Sequence, residues 1–129
     1  MIEGIRFSNI TIDCPDEDAL CIFYEALLGW ERKELWGHPS LTSPDGTQRF
    51  LFMQEKGDNI LPYLPPVWPE QPGQQQKQMH FDFQVPDVPA AVAYAESLGA
   101  KKAKEQFGGP HFTTMIDPAG HPFCLCAAE

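Results

Sequence analysis

His80 and Asp82 stand two residues apart in "HFDFQV", a spacing that puts both side chains on one face of an extended strand. An imidazole beside a carboxylate is the pairing of a general base with the group that orients it. The same pair serves as a structural hydrogen bond, and the structural use is the expectation. A second group of reactive types, His121, Cys124 and Cys126, lies in "DPAGHPFCLC" near the end of the sequence. None of the four cysteines (Cys14, Cys21, Cys124, Cys126) forms a C-x-x-C, and no second pair stands at zinc-finger spacing. They are read as reduced thiols, mostly buried as small apolar groups. His111 follows Gly108, Gly109 and Pro110, where the glycine pair is either a hinge beside a cleft or a flexible turn. His38 and His121 adjoin prolines near turns and are given no role. No G-x-S-x-G, P-loop or G-x-G-x-x-G occurs.

Flat apolar ligands are held by stacking, and Trp36, Trp68, Tyr63 and Phe107 are candidates for that. Trp30 follows a helix pattern directly and is read as core.

The elements that position these residues come from a repeat. "NITIDCPDEDALCIFYEALLGWERKE" from Asn9 and "HFDFQVPDVPAAVAYAESLGAKKAKE" from His80 carry the same signals in the same order. Each opens as a strand and meets Pro-Asp. Each continues as a helix to Leu-Gly and ends in a charged run. Asp16 and Asp87 are N-cap residues, because a carboxylate accepts from the free amides of a first turn. Leu20, Phe23, Tyr24, Leu27 and Leu28 make one apolar stripe. Gly29 and Gly99 suit the left-handed position after a helix. Further on, "SPDG" (residues 43–46) matches "DPAG" (residues 117–120), and each turn leads into an apolar strand.

The expected fold is therefore α+β: two tandem βαβββ modules, about 5–56 and 78–128, in one domain covering 1–129. A Pro- and Gln-rich linker, about 57–77, wraps over something, with Tyr63 and Trp68 as anchors. The strand periods put Asn9, Thr11 and Asp13 on one face of the first strand, and His80, Asp82 and Gln84 on one face of the fifth. The apolar faces must meet the helices. The polar faces are expected to line a concavity between curved sheets that form a half-open barrel, and such a concavity is where a ligand goes.

Bulk properties exclude some partners. The formal net charge of −9 and the scatter of the nine Lys and Arg residues argue against nucleic acid. Lys101, Lys102 and Lys104 read as a solvated strand or loop. "MIEGIRFSNITID" has no basic stretch followed by a long apolar run, and no apolar run approaches a membrane span, so a cytoplasmic protein without membrane association is expected.

Duplicated βαβββ modules with "IDCPDEDALCIFYEALLGWE", "HFDFQVPDVPAAVAYAESLGA" and "DPAGHPFCLC" resemble the vicinal oxygen chelate superfamily, which includes glyoxalase I, bleomycin resistance proteins and extradiol dioxygenases. The closest likeness is to small bacterial glyoxalase-like domain proteins. The resemblance implies a homodimer. In metal-dependent members of the family, ligands come from the first, fourth, fifth and eighth strands. The matching positions here are Asn9, Gln54, His80 and Cys124, a set without a carboxylate. Cys124 stands where a Glu is usual. The expectation is a small-molecule binder of the bleomycin-resistance kind that holds an apolar or aromatic ligand without a catalytic metal. The ligand-cleft residues would be Asn9, Thr11, Trp36, Gln54, Trp68, His80, Asp82, Phe107, His111 and Cys124. The rival is a lyase, isomerase or dioxygenase that uses His80 with zinc, nickel, manganese or iron. A third reading is a non-catalytic interaction module.

Overall fold

A computed structural model describes residues 1–56 and 61–128. The start of the linker, residues 57–60, lies outside the described residues. Two compact units emerge, Met1–Asp58 and Asn59–Glu129, so the described part of the linker belongs to the second unit.

The first unit contains β1 (Ile10–Asp13), α1 (Glu17–Leu28), β2 (Glu31–Leu35), β3 (His38–Thr42) and β4 (Arg49–Met53). The second contains β5 (Phe81–Val85), α2 (Val88–Ser97), β6 (Lys101–Lys102), β7 (Phe112–Ile116) and β8 (Pro122–Ala127). Both are βαβββ modules, as the repeat requires. Their sheets follow the same rule, β1-β4-β3-β2 and β5-β8-β7-β6. In each, the first strand runs parallel to the last, and the other pairs are antiparallel. The fold is α+β with two open mixed sheets.

The helices start and stop on the expected signals. Asp16 accepts from the Ala19 amide and Asp87 from the Ala90 amide, both at 3.0 Å, so each carboxylate satisfies a first-turn donor. Gly29 ends α1 at φ 68°, where a side chain would be strained. The repeated turns also close alike. Gly46 N–H donates to the Ser43 carbonyl and Gly120 N–H to the Asp117 carbonyl, both at 2.9 Å.

In the first unit α1 packs on β3 and β4. Tyr24 stacks on Phe52 at 5.8 Å and meets Phe50 edge-on at 6.1 Å. Trp30 lies 5.1 Å from Phe50, which is the packing role expected of it. Leu20, Phe23 and Tyr24 of the stripe are fully buried, while Leu27 and Leu28 are only half-buried. In the second unit α2 packs on β6, β7 and β8, and Phe123, Leu125 and Met115 are buried.

The linker is tied down within the second unit. The Tyr63 hydroxyl donates to the Ala119 carbonyl at 2.9 Å, which leaves its oxygen to accept from His121 Nε2 at 3.0 Å. Trp68 meets Phe107 edge-on at 6.4 Å, and the Lys77 ammonium sits 3.8 Å above the Trp68 ring. No described helix is long and apolar enough to cross a membrane.

Candidate functional site

The polar face of the second sheet carries the site. In β5 the alternation puts Asp82 and Gln84, with His80 just before the strand in the same parity, opposite Phe81, Phe83 and Val85. In β8 it puts Cys124 and Cys126 opposite Phe123 and Leu125. Register then joins them in rows: Asp82 pairs with Cys124 and Cys124 with Thr114, while Gln84 pairs with Cys126 and Cys126 with Phe112. These rows floor a depression of about 670 Å³ lined by His80, Asp82, Gln84, His111, Phe112, Cys124, Cys126 and residues 127–128.

Within it, His80 Nε2 lies 3.5 Å from Asp82 Oδ1, with side chains 39% and 61% exposed. Cys126 Sγ lies 3.9 Å from the same Asp82 oxygen, and Thr114 Oγ1 lies 3.5 Å from Cys124 Sγ. Burial pushes both thiols above the ordinary cysteine value, and the Asp82 carboxylate adds to this. For Cys124, Thr114 and Lys77 act in the opposite direction. Neither thiol is therefore set up as a thiolate nucleophile at neutral pH. At 3.5 Å, His80 and Asp82 are too far apart for a tight base–orienter pair.

His111 is held by its backbone. Its N–H donates to the Gly108 carbonyl at 2.9 Å, and its carbonyl accepts from Ala127 N–H at 2.7 Å. Gly108 itself is buried, and a methyl group there would stand 2.3 Å from the Phe112 carbonyl oxygen. The glycine at 108 serves close backbone approach to Phe112, a demand that neither the hinge nor the flexible-turn reading contained. Gly108→Ala is expected to cost about 1–3 kcal/mol of stability, as overpacked sites do, measurable by urea unfolding.

The remaining candidates fall elsewhere. Asn9 and Thr11 belong to the first unit and bond locally. Asn9 Nδ2 donates to Thr11 Oγ1 at 3.0 Å, and Asn9 Oδ1 accepts from Ser8 Oγ at 2.8 Å. Gln54 sits just past β4 in the same parity as Phe50 and Phe52, the residues that pack on Tyr24. Its backbone N–H donates to Glu17 Oε1 at 3.1 Å, and its side-chain carbonyl accepts from Glu17 N–H at 3.4 Å. Gln54 is thus a partner of the start of α1. Glu17 also meets His38 Nδ1, at 3.1 and 3.2 Å from its two oxygens, so His38 acquires a structural role. Trp36 occupies the tight turn between β2 and β3 at φ 54°, exposed, followed by Gly37 at φ 81°. Trp68 and Phe107 pack on each other outside the lining of the depression. Gln84 lines it as the alternation of its strand requires, while Phe112 and Cys126 line it without having been named as cleft residues. Period two from Asp82 and from Cys124 points to Gln84 and Cys126.

A family model described as a glyoxalase-like domain matches residues 9–126. The chain belongs to the glyoxalase-like domain family. This places it in the vicinal oxygen chelate superfamily, as its repeated modules suggest. Solved structures share the fold of this glyoxalase-like domain. A glyoxalase family protein from Bacillus cereus superposes with a TM-score of 0.72 at 15% identity, covering 98% of this chain and 95% of that one. A glyoxalase/bleomycin resistance protein/dioxygenase family enzyme from Burkholderia phytofirmans PsJN gives 0.67 at 15% identity, covering 97% and 100%. The fosfomycin resistance protein FosX from Listeria monocytogenes gives 0.66 at 18% identity, covering 100% and 94%. No curated protein sequence matches the chain.

The four positions equivalent to the metal ligands of relatives do not form a fitting donor set in this glyoxalase-like domain. Asn9 and Gln54 are amides with local partners, and Cys124 replaces the carboxylate. On β4 the parity opposite Phe50 and Phe52 offers Leu51 and Met53, which supply no oxygen ligand.

Proposed function

We propose that this glyoxalase-like protein binds a small apolar or aromatic molecule on the polar face of its second sheet and needs no catalytic metal to do so. The depression over β5, β8 and β7 carries this reading. Its volume of about 670 Å³ lies within the range of small-molecule sites. Phe112 and the alanine at 127 supply an apolar wall. His80, Asp82, Gln84 and His111 supply a few polar groups that fix orientation. The organic ligand docks its ring against Phe112 and directs a hydrogen-bond donor at Asp82.

A cytoplasmic homodimer goes with this reading. Exposed apolar side chains at Ile2, Ile5 and Phe7 offer a surface for pairing, and light scattering of the purified protein measures it.

A thermal-shift screen with flat aromatic compounds, run in the presence of a chelator, tests the binding. At least one compound is expected to raise the unfolding temperature, and Phe112→Ala is expected to weaken that compound about ten-fold, as for other buried aromatic anchors. No stabilising compound in a broad library, or hits indifferent to Phe112→Ala, would overturn the proposal. Turnover that appears only with added metal would favour the metal-dependent rival.

A further inference from the structure

The first module holds a histidine–carboxylate pair that is closer and more buried than the one in the depression. His38 Nδ1 lies 3.1 Å from Glu17 Oε1 and 3.2 Å from Glu17 Oε2. The Glu17 side chain is 9% exposed and the His38 side chain 25%. His80 and Asp82, by contrast, stand 3.5 Å apart and are far more exposed. The backbone fixes both partners of the first pair. Glu17 opens α1, where the free amides of a first turn favour a carboxylate. Its Oε1 accepts from Gln54 N–H at 3.1 Å, which ties it to the chain just past β4. His38 opens β3 and pairs with Leu35 across the tight turn.

This contact fixes the proton on the ring. A carboxylate is an acceptor only, so the nitrogen that faces it, Nδ1, carries the hydrogen. Nε2 of the neutral ring then carries the lone pair. Among the described residues Nε2 has no hydrogen-bond partner. A buried carboxylate behind Nδ1 also balances the positive charge that the ring gains as Nε2 forms a bond.

We propose that His38 is a nucleophilic imidazole through which the first module takes an acyl group from neutral activated acyl donors, with Glu17 as its positioning residue. In this step the Nε2 lone pair forms a bond to the acyl carbon. The carbon–oxygen bond of the donor breaks, and its oxygen leaves with the electron pair. The Nδ1 proton, held against Glu17 while the ring is cationic, passes to solvent and leaves a neutral acyl-imidazole. Neutral donors are favoured over phosphoryl anions, because the chain carries a formal charge of −9 and a carboxylate backs the ring. The site shares no residue with the depression of the second module and requires no ligand there.

Diethyl pyrocarbonate, a neutral acylating reagent, is the probe, used in limiting amount on the full chain. Peptide mass spectrometry gives the initial rate at each of the four histidines. His38 is expected to react first, although His80 and His111 are more exposed. Glu17→Gln keeps the size of the side chain, but its amide nitrogen donates to Nδ1 and moves the ring proton to Nε2. That variant is expected to slow His38 by about ten-fold or more, the scale on which loss of a histidine's carboxylate partner acts, and to leave His111 unchanged. Ring-nitrogen NMR of the wild type is expected to show neutral His38 protonated on Nδ1 and bare on Nε2. The proposal is overturned if the rates follow exposure, with His38 behind His80 and His111. It is also overturned if folded Glu17→Gln reacts at His38 as fast as wild type, or if NMR places the wild-type ring proton on Nε2. Should Glu17→Gln fail to fold, the wild-type rate order and the NMR tautomer decide.

Discussion

Phe123→Ala is expected to lower the unfolding free energy by about 3–5 kcal/mol, the cost of deleting a buried aromatic ring and leaving a cavity. Phe123 is fully buried, meets Phe83 edge-on at 6.0 Å, and pairs with Phe81 on one side and Met115 on the other. It sits on β8 immediately before Cys124, on the opposite face of the strand that floors the depression. Urea unfolding measures the loss. Phe123→Leu is expected to recover part of it because volume is partly restored. A change below about 1 kcal/mol for Phe123→Ala would contradict the packing described here.

Asp117→Ala is expected to cost about 2–4 kcal/mol, because buried amides are left without their acceptor. Asp117 is 4% exposed, and one of its oxygens accepts from Ala119 N–H at 2.9 Å and His121 N–H at 3.0 Å. The equivalent turn of the first module divides the same task between a buried Ser43 and an exposed Asp45. There the Ser43 hydroxyl accepts from Gln48 N–H at 3.0 Å, while Asp45 takes the Thr47 amide and hydroxyl. Those bonds, the Thr47 amide first, hold the Asp45 carboxyl below its usual range. Asp45 is solvent-exposed, so Asp45→Ala is expected to be much milder. Asp117→Asn, which keeps a carbonyl acceptor, is expected to recover most of the loss. Equal effects of Asp117→Ala and Asp45→Ala on urea midpoints would contradict this account.

The fold was legible because its signals are local and occur twice. Pro-Asp before each helix, Leu-Gly after it, and a Pro-containing turn with Gly fourth are each dictated by backbone chemistry. The site was legible where alternation is clean, as in "HFDFQV", whose polar residues all face one way. It was illegible in "RFLFMQ", where four consecutive apolar residues hide the parity. Gln54 thus read as facing a cleft, whereas it shares the parity of Phe50 and Phe52 and bonds to Glu17. Sequence also could not show that Glu17 is buried with His38, since that contact joins a helix start to a strand through space. The placement of the aromatic candidates was hidden for a similar reason. Exposure of Trp36 follows from its place in a two-residue turn, and the pairing of Trp68 with Phe107 depends on how the linker folds back.

In the second sheet β5 bonds to β8 and, among the described strands, to no other. The module is therefore closed by its two ends. Nascent β5 leaves the ribosome without a partner and stays so until residues 122–127 emerge, some forty positions later. Closing so long a loop is slow compared with forming a hairpin. Loss of Pro122–Ala127 would strand β5, remove Cys124 and Cys126 together, and expose an apolar strand edge of Phe81 and Phe83 to aggregation. In the second module the floor of the depression and the pairing of β5 depend on the same six residues, Pro122–Ala127.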